Sequence, residues 1–247
     1  MKISVLFVVL IIRLNSVSYA QDLSRWSVSL SYGIASPIAG FQKAAPEKTV
    51  VYDPYTPGVA FYNGFDKQGN SAAKAGTFFS LGLNYLITKK WIVFLDFGNT
   101  TNSVNVESVM DYWKVIYGPV ANTVQNDYQT MFALTGIGYK LKWKKLDLMI
   151  TQKIGWAIMQ FPDYRFGGWI NERPEAPLQS FMVGWGIKAS YFLNKNIFTG
   201  IAVSFTTADF NYSVALRVVP GGSTIISKSD QVSYRQLTTG IHVGYRF

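Results

Sequence analysis

The side chains best placed for buried chemistry are Asp96, Lys153, Lys188 and His242; all but Lys153, which follows Gln152, are set between apolar neighbours. A carboxylate among lysines makes an ion pair, and a histidine within reach of a serine and an acid makes an acyl-transfer site. The serines that alternate with apolar residues near the start, Ser29 and Ser31, are the obvious partners for His242. Metal chemistry lacks its ligands: the chain of 247 residues has no cysteine and one histidine, and no metal or other cofactor is expected. Two further sets bear on binding. Aromatic residues crowd the irregular stretches, with Tyr112, Trp113 and Trp169 as loop binding candidates, and lysines gather at short turns: Lys89, Lys90, Lys142, Lys144, Lys145 and Lys195.

The elements that hold these residues follow from a period of two. At the end of the chain Leu237, Thr239, Ile241, Val243, Tyr245 and Phe247 alternate with Thr238, Gly240, His242, Gly244 and Arg246. Side chains alternate across a strand, so this stretch has one apolar and one polar face. The segments ending near Tyr85, Tyr139 and Tyr191 close in the same way as that at Tyr245, at spacings of 54, 52 and 54 residues. A fixed period means one unit reused, here a hairpin and a long loop. Eight strands follow, with short turns at 88–90, 142–145 and 194–196. Long loops cover 36–74, 99–127 and 160–178. The fourth rises as a hairpin through Tyr212, Val214, Leu216 and Val218 to Pro220-Gly221-Gly222. Two bulges are expected: one where Phe132 and Leu134 blur the alternation, and one near 208–210, where the apolar parity inverts.

Composition assigns the surroundings of these strands. Charged residues are 15% and aromatics 16%, and nothing after the first twenty residues is apolar for long enough to be a membrane helix. The pattern predicts an all-β, eight-stranded antiparallel up-and-down transmembrane β-barrel with three short periplasmic turns and four longer extracellular loops. Lys2, the apolar run Ile3–Ile12 and Ser18-Tyr19-Ala20 read as a cleaved signal peptide over 1–20, leaving 21–247 as a single barrel domain. Loss of Lys2 and Arg13 lowers the net charge from +9 to +7.

From Trp26 to Phe247 the chain resembles the small outer-membrane barrels of the OmpA, OmpX and OmpW type. That resemblance implies the outer membrane of a Gram-negative bacterium, with both termini in the periplasm. It implies that Tyr245 and Phe247 are read by the barrel-assembly machinery. The glycine that this family usually carries five residues before its end is His242 here, with glycines at 240 and 244. Gln21 after the cleaved alanine is similar to exports of Bacteroidota.

By parity Asp96, Lys153, Lys188 and His242 face the lumen, where Asp96 is expected to pair with Lys188 or Lys153. An eight-stranded bore is only wide enough to be filled by side chains. Phe78, Phe94, Phe132 and Phe198 share that face and would block water, although a narrow porin-like channel is an alternative. Some barrels of this size modify lipid A with a serine and a histidine near the rim. His242 beside Ser29 or Ser31 would be the pair, but it points inward, away from lipid. The rim lysines suit phospholipid phosphates of the outer-membrane lipids, and nucleic acid is excluded by compartment. The expected function is non-catalytic: binding through the aromatic loops or the outer wall, as an accessory subunit of a larger outer-membrane complex.

Overall fold

The computed structural model describes residues 25–43, 50–52, 60–62, 71–107, 123–166, 170–172, 176–218 and 224–247. The segment 1–20 and the loop candidates Tyr112, Trp113 and Trp169 lie outside them. The eight barrel strands are β1 (Trp26–Pro37), β2 (Gly76–Leu86), β3 (Trp91–Asn102), β4 (Tyr128–Trp143), β5 (Leu146–Gln160), β6 (Leu178–Phe192), β7 (Ile197–Val218) and β8 (Thr224–Arg246). Every neighbouring pair is antiparallel, and β8 closes on β1 from Ser27↔Arg246 to Pro37↔Gln236. Closure leaves the barrel itself without a free edge.

Register fixes the shape. Following paired residues round the barrel, Trp26 leads to Tyr85, Val93, Ile137, Gln152, Trp185, Phe205 and Leu237, then returns to β1 at Ser36, ten residues further along. Such a shear tilts the strands by roughly 40° and makes each row of pairs climb as it circles. Gln152, four steps of eight round that circuit, therefore sits halfway up the climb.

The outward row is apolar from the short turns upward: Leu30, Leu83, Leu95, Ile137, Ile150, Ile187, Ile201 and Ile241 are all exposed, Ile241 by 62%. A patch of this extent has no place against water, whereas hydrocarbon covers it without cost. Aromatic pairs border it, with Trp26–Tyr85 and Trp91–Tyr139 ring centroids 4.7 and 5.1 Å apart near the turns and Trp156–Phe181 at 6.3 Å higher up.

Both expected bulges are absent. β4 pairs with β3 and β5 in unbroken register through Phe132 and Leu134, and β7 pairs with β8 from Ile197↔Tyr245 to Val218↔Thr224 without a slip. The alternation blurs at Leu134 because the inner face is itself apolar there, and Leu134 is buried. At 208–210 the faces exchange character. Ala208, Phe210 and Tyr212 point inward and are buried, while Asp209 and Asn211 point outward. Asp209 holds Arg235 at 3.0 Å on the outside. A strand that leaves hydrocarbon for water needs no change of register to reverse its pattern, only a change in what surrounds the wall.

Candidate functional site

The lower bore is polar and layered. Nearest the short turns, Asp147 Oδ2 accepts from Lys140 Nζ at 3.4 Å and Arg246 Nη2 at 3.0 Å. The Arg246 guanidinium lies 4.1 Å from the Phe192 ring centroid. Above this layer His242, 2% exposed, meets Ser190 Oγ through Nε2 at 2.9 Å. Asp96 follows, 2% exposed, with Lys153 Nζ on Oδ2 at 3.0 Å and Lys188 Nζ on Oδ1 at 3.5 Å. The pairing is therefore with both lysines, the shorter contact being to Lys153.

Three strands far apart in sequence deliver that triad. Asp96 comes from β3, Lys153 from β5 and Lys188 from β6, and β2, the neighbour of β3, contributes Gly82 directly across from Asp96. A Cβ at Gly82 would lie 2.8 Å from Asp96 Oδ1 and 2.9 Å from Ser29 Oγ, so its bare backbone is what admits the carboxylate. Desolvating three charges is costly, and mutual attraction offsets it only while all partners are present.

The acyl-transfer arrangement does not form. His242 bonds to Ser190, not to Ser29 or Ser31, and its Nδ1 has no hydrogen-bond partner among the described residues. Without an acid on Nδ1 nothing orients the imidazole as a base for a nucleophile.

The upper bore is closed by an apolar plug, and its cork comes from a segment that reads only as loop. After Pro37 the chain folds back through a 3-10 turn, Ala39–Phe41, with Ala39 at φ 51°. This places Phe41 at 0% exposure, its ring centroid 5.2 Å from Tyr128 and 5.0 Å from Tyr234. Met159, Met182, Phe161, Phe210 and Tyr212 belong to the same cluster. The hydroxyls of Tyr128 and Tyr234 are paired: Tyr128 donates to the Ser71 carbonyl at 3.0 Å, and Thr100 Oγ1 meets Tyr234 Oη at 3.1 Å. Gln236 Nε2 donates to Asn102 Oδ1 at 2.9 Å. No sequence period announced Phe41, a single aromatic between Gly40 and Gln42.

On the outer wall a groove of about 590 Å³ runs across β4–β7, lined by Tyr139, Ile150, Gln152, Ile154, Trp185 and Phe205 among others. Gln152 is exposed there, and its amide makes no hydrogen bond to any described residue. The signal was available in the sequence: the apolar outward row of β5 skips one position between Ile150 and Ile154. Lys89, Lys90, Lys142, Lys144, Lys145 and Lys195 are all exposed at the short-turn end, whereas Lys140 turns into the bore. Tyr245 is 37% exposed on the outer wall and packs edge-on against Phe247 at 5.2 Å.

Closed, antiparallel, apolar outside and filled within, the chain has the fold of the small eight-stranded outer-membrane barrels. OprG, an outer-membrane protein of Pseudomonas aeruginosa, superposes with a TM-score of 0.56 at 12% identity, over 90% of this chain and 96% of that one. Neisserial surface protein A is similar at a TM-score of 0.48 and 9% identity, over 90% of this chain and 97% of that one. No protein-family model matches the chain, and no curated protein matches it in sequence.

Proposed function

We propose that the chain is an integral outer-membrane protein of a Gram-negative bacterium that acts without catalysis, as an accessory subunit docking through its outer wall onto a larger outer-membrane complex. Gln152 carries this reading. It stands halfway up a wall otherwise suited to hydrocarbon, within the groove, with its amide unpaired. An amide left without partners in such a medium costs on the order of 2–7 kcal/mol. A polar group of a neighbouring membrane protein, seated in the groove, removes that cost.

The rest of the molecule fits this role. The termini and the basic short turns would face the periplasm, where the rim lysines meet phosphates of the inner leaflet. Tyr245 and Phe247 would serve the barrel-assembly machinery. The long-loop aromatics of the sequence, Tyr112, Trp113 and Trp169, would supply contacts to whatever the complex binds outside. The plug and the lone Ser190–His242 pair favour neither a channel nor a lipid-modifying enzyme.

The test is photo-crosslinking in native membranes. A crosslinker at position 152 is expected to trap one stoichiometric partner, while the same group at Leu30, on the far side of the barrel, yields none. A lone monomer at both positions after mild extraction would overturn the proposal.

A further inference from the structure

The lower bore holds more cation than its carboxylates can match. Lys153 and Lys188 share Asp96, and Lys140 and Arg246 share a single oxygen of Asp147, so four cations face two anions. Lys188 is the loosest of them, 3.5 Å from its carboxylate oxygen. It reaches a cavity of about 60 Å³ that is also lined by Lys140, Asp147, Ser190, His242 and Arg246. That volume accommodates a few waters or one small polyatomic ion.

Three buried polar atoms without protein partners belong to residues of this same cavity: His242 Nδ1, Asn84 Oδ1 and Asp147 Oδ1. Their chemistry is mixed. In the tautomer whose Nε2 accepts from the Ser190 hydroxyl, His242 carries its proton on Nδ1 and offers a donor beside the ammonium groups of Lys188 and Lys140. Asp147 Oδ1 and Asn84 Oδ1 are acceptors and would repel a bare anion. A group that is negative on one side and carries a hydroxyl on the other satisfies both sets.

We infer that the lower bore is a binding site for a small protonated oxyanion, hydrogen phosphate or hydrogen carbonate in kind, held by Lys188, Lys140 and His242 and donating its own proton toward Asp147 or Asn84. The bound charge offsets the excess of cations, which a low-dielectric bore tolerates poorly. The site is independent of the outer-wall groove and of any partner seated there.

His242 is the only histidine in the chain, so its ring nitrogens are unambiguous in an NMR spectrum of the folded barrel in detergent. Phosphate added at constant ionic strength, with chloride as the balancing salt, is expected to shift the Nδ1 resonance saturably. Lys188→Met should weaken the apparent affinity by about tenfold or more, as loss of a charge-assisted hydrogen bond does. Lys140→Met, outside the Asp96 triad, supplies the same comparison should Lys188→Met fail to fold. Absence of a phosphate shift, an equal response to chloride, or unchanged affinity in the folded variant would overturn the assignment.

Discussion

The two halves of the bore solve opposite problems. Near the short turns the wall outside is apolar, and the interior is charged: Asp96, Lys153, Lys188, Asp147, Lys140 and Arg246. Beyond Ala208 the wall outside carries Asp209, Asn211 and Arg235, and the interior is Phe41, Tyr128, Phe210 and Tyr234. One continuous hairpin, β7–β8, serves both halves without a bulge. The difference teaches that the sheet is only a scaffold for alternation. Which face is greasy is decided by the medium at each level.

The two halves should fail differently. Asp96→Ala strands two buried lysines and is expected to cost about 3–5 kcal/mol in urea unfolding from lipid vesicles. Changing the triad together, Asp96→Leu with Lys153→Met and Lys188→Met, should recover that loss or exceed wild type by about 1–4 kcal/mol. If the triple variant is as unstable as Asp96→Ala, the ion pairs are not what organises the lower half. Phe41→Ala removes the cork and is expected to cost about 3–5 kcal/mol as a cavity, with increased protease sensitivity confined to the long-loop end. Equal sensitivity at the short turns would show that the halves are one unit.

A smaller effect separates room from charge. Gly82→Ala drives a methyl against Asp96 and Ser29, and about 1–3 kcal/mol of overpacking is expected in the same unfolding assay. In Gly82→Ala combined with the neutral triad the penalty should shrink, since Met and Leu can move aside. Smallest in stability is Gln152→Leu, which leaves the isolated barrel within about 0.5 kcal/mol of wild type or better. The same variant should lose its partner in co-purification, and retention of that partner would shift the docking surface elsewhere.

How much was legible in the sequence follows the same division. Where hydrocarbon faces the wall, alternation was complete enough to give all eight strands, the short turns, and the inward placement of Asp96, Lys153, Lys188 and His242. Where water faces the wall, pattern reading assumed a constant medium and so demanded a bulge at 208–210 that does not exist. Phe41 was out of reach because a cork formed by one aromatic in a reversing segment has no period. Gly82 was invisible for a different reason: its role depends on Asp96, its direct partner across the β2–β3 pairing, fourteen residues on in sequence. Lys140 and Arg246, close to the basic short turns, turn inward, where Asp147 pairs with both.

The inversion itself can be measured. The chain has no cysteine, so single cysteines placed at the outward positions Ile201, Phe205, Asp209 and Asn211 carry one spin label each without background. In lipid vesicles, collisions with oxygen should dominate at Ile201 and Phe205, and collisions with a water-soluble nickel reagent should dominate at Asp209 and Asn211. Labels that report hydrocarbon at Asp209 and Asn211, or water at Ile201 and Phe205, would contradict the account.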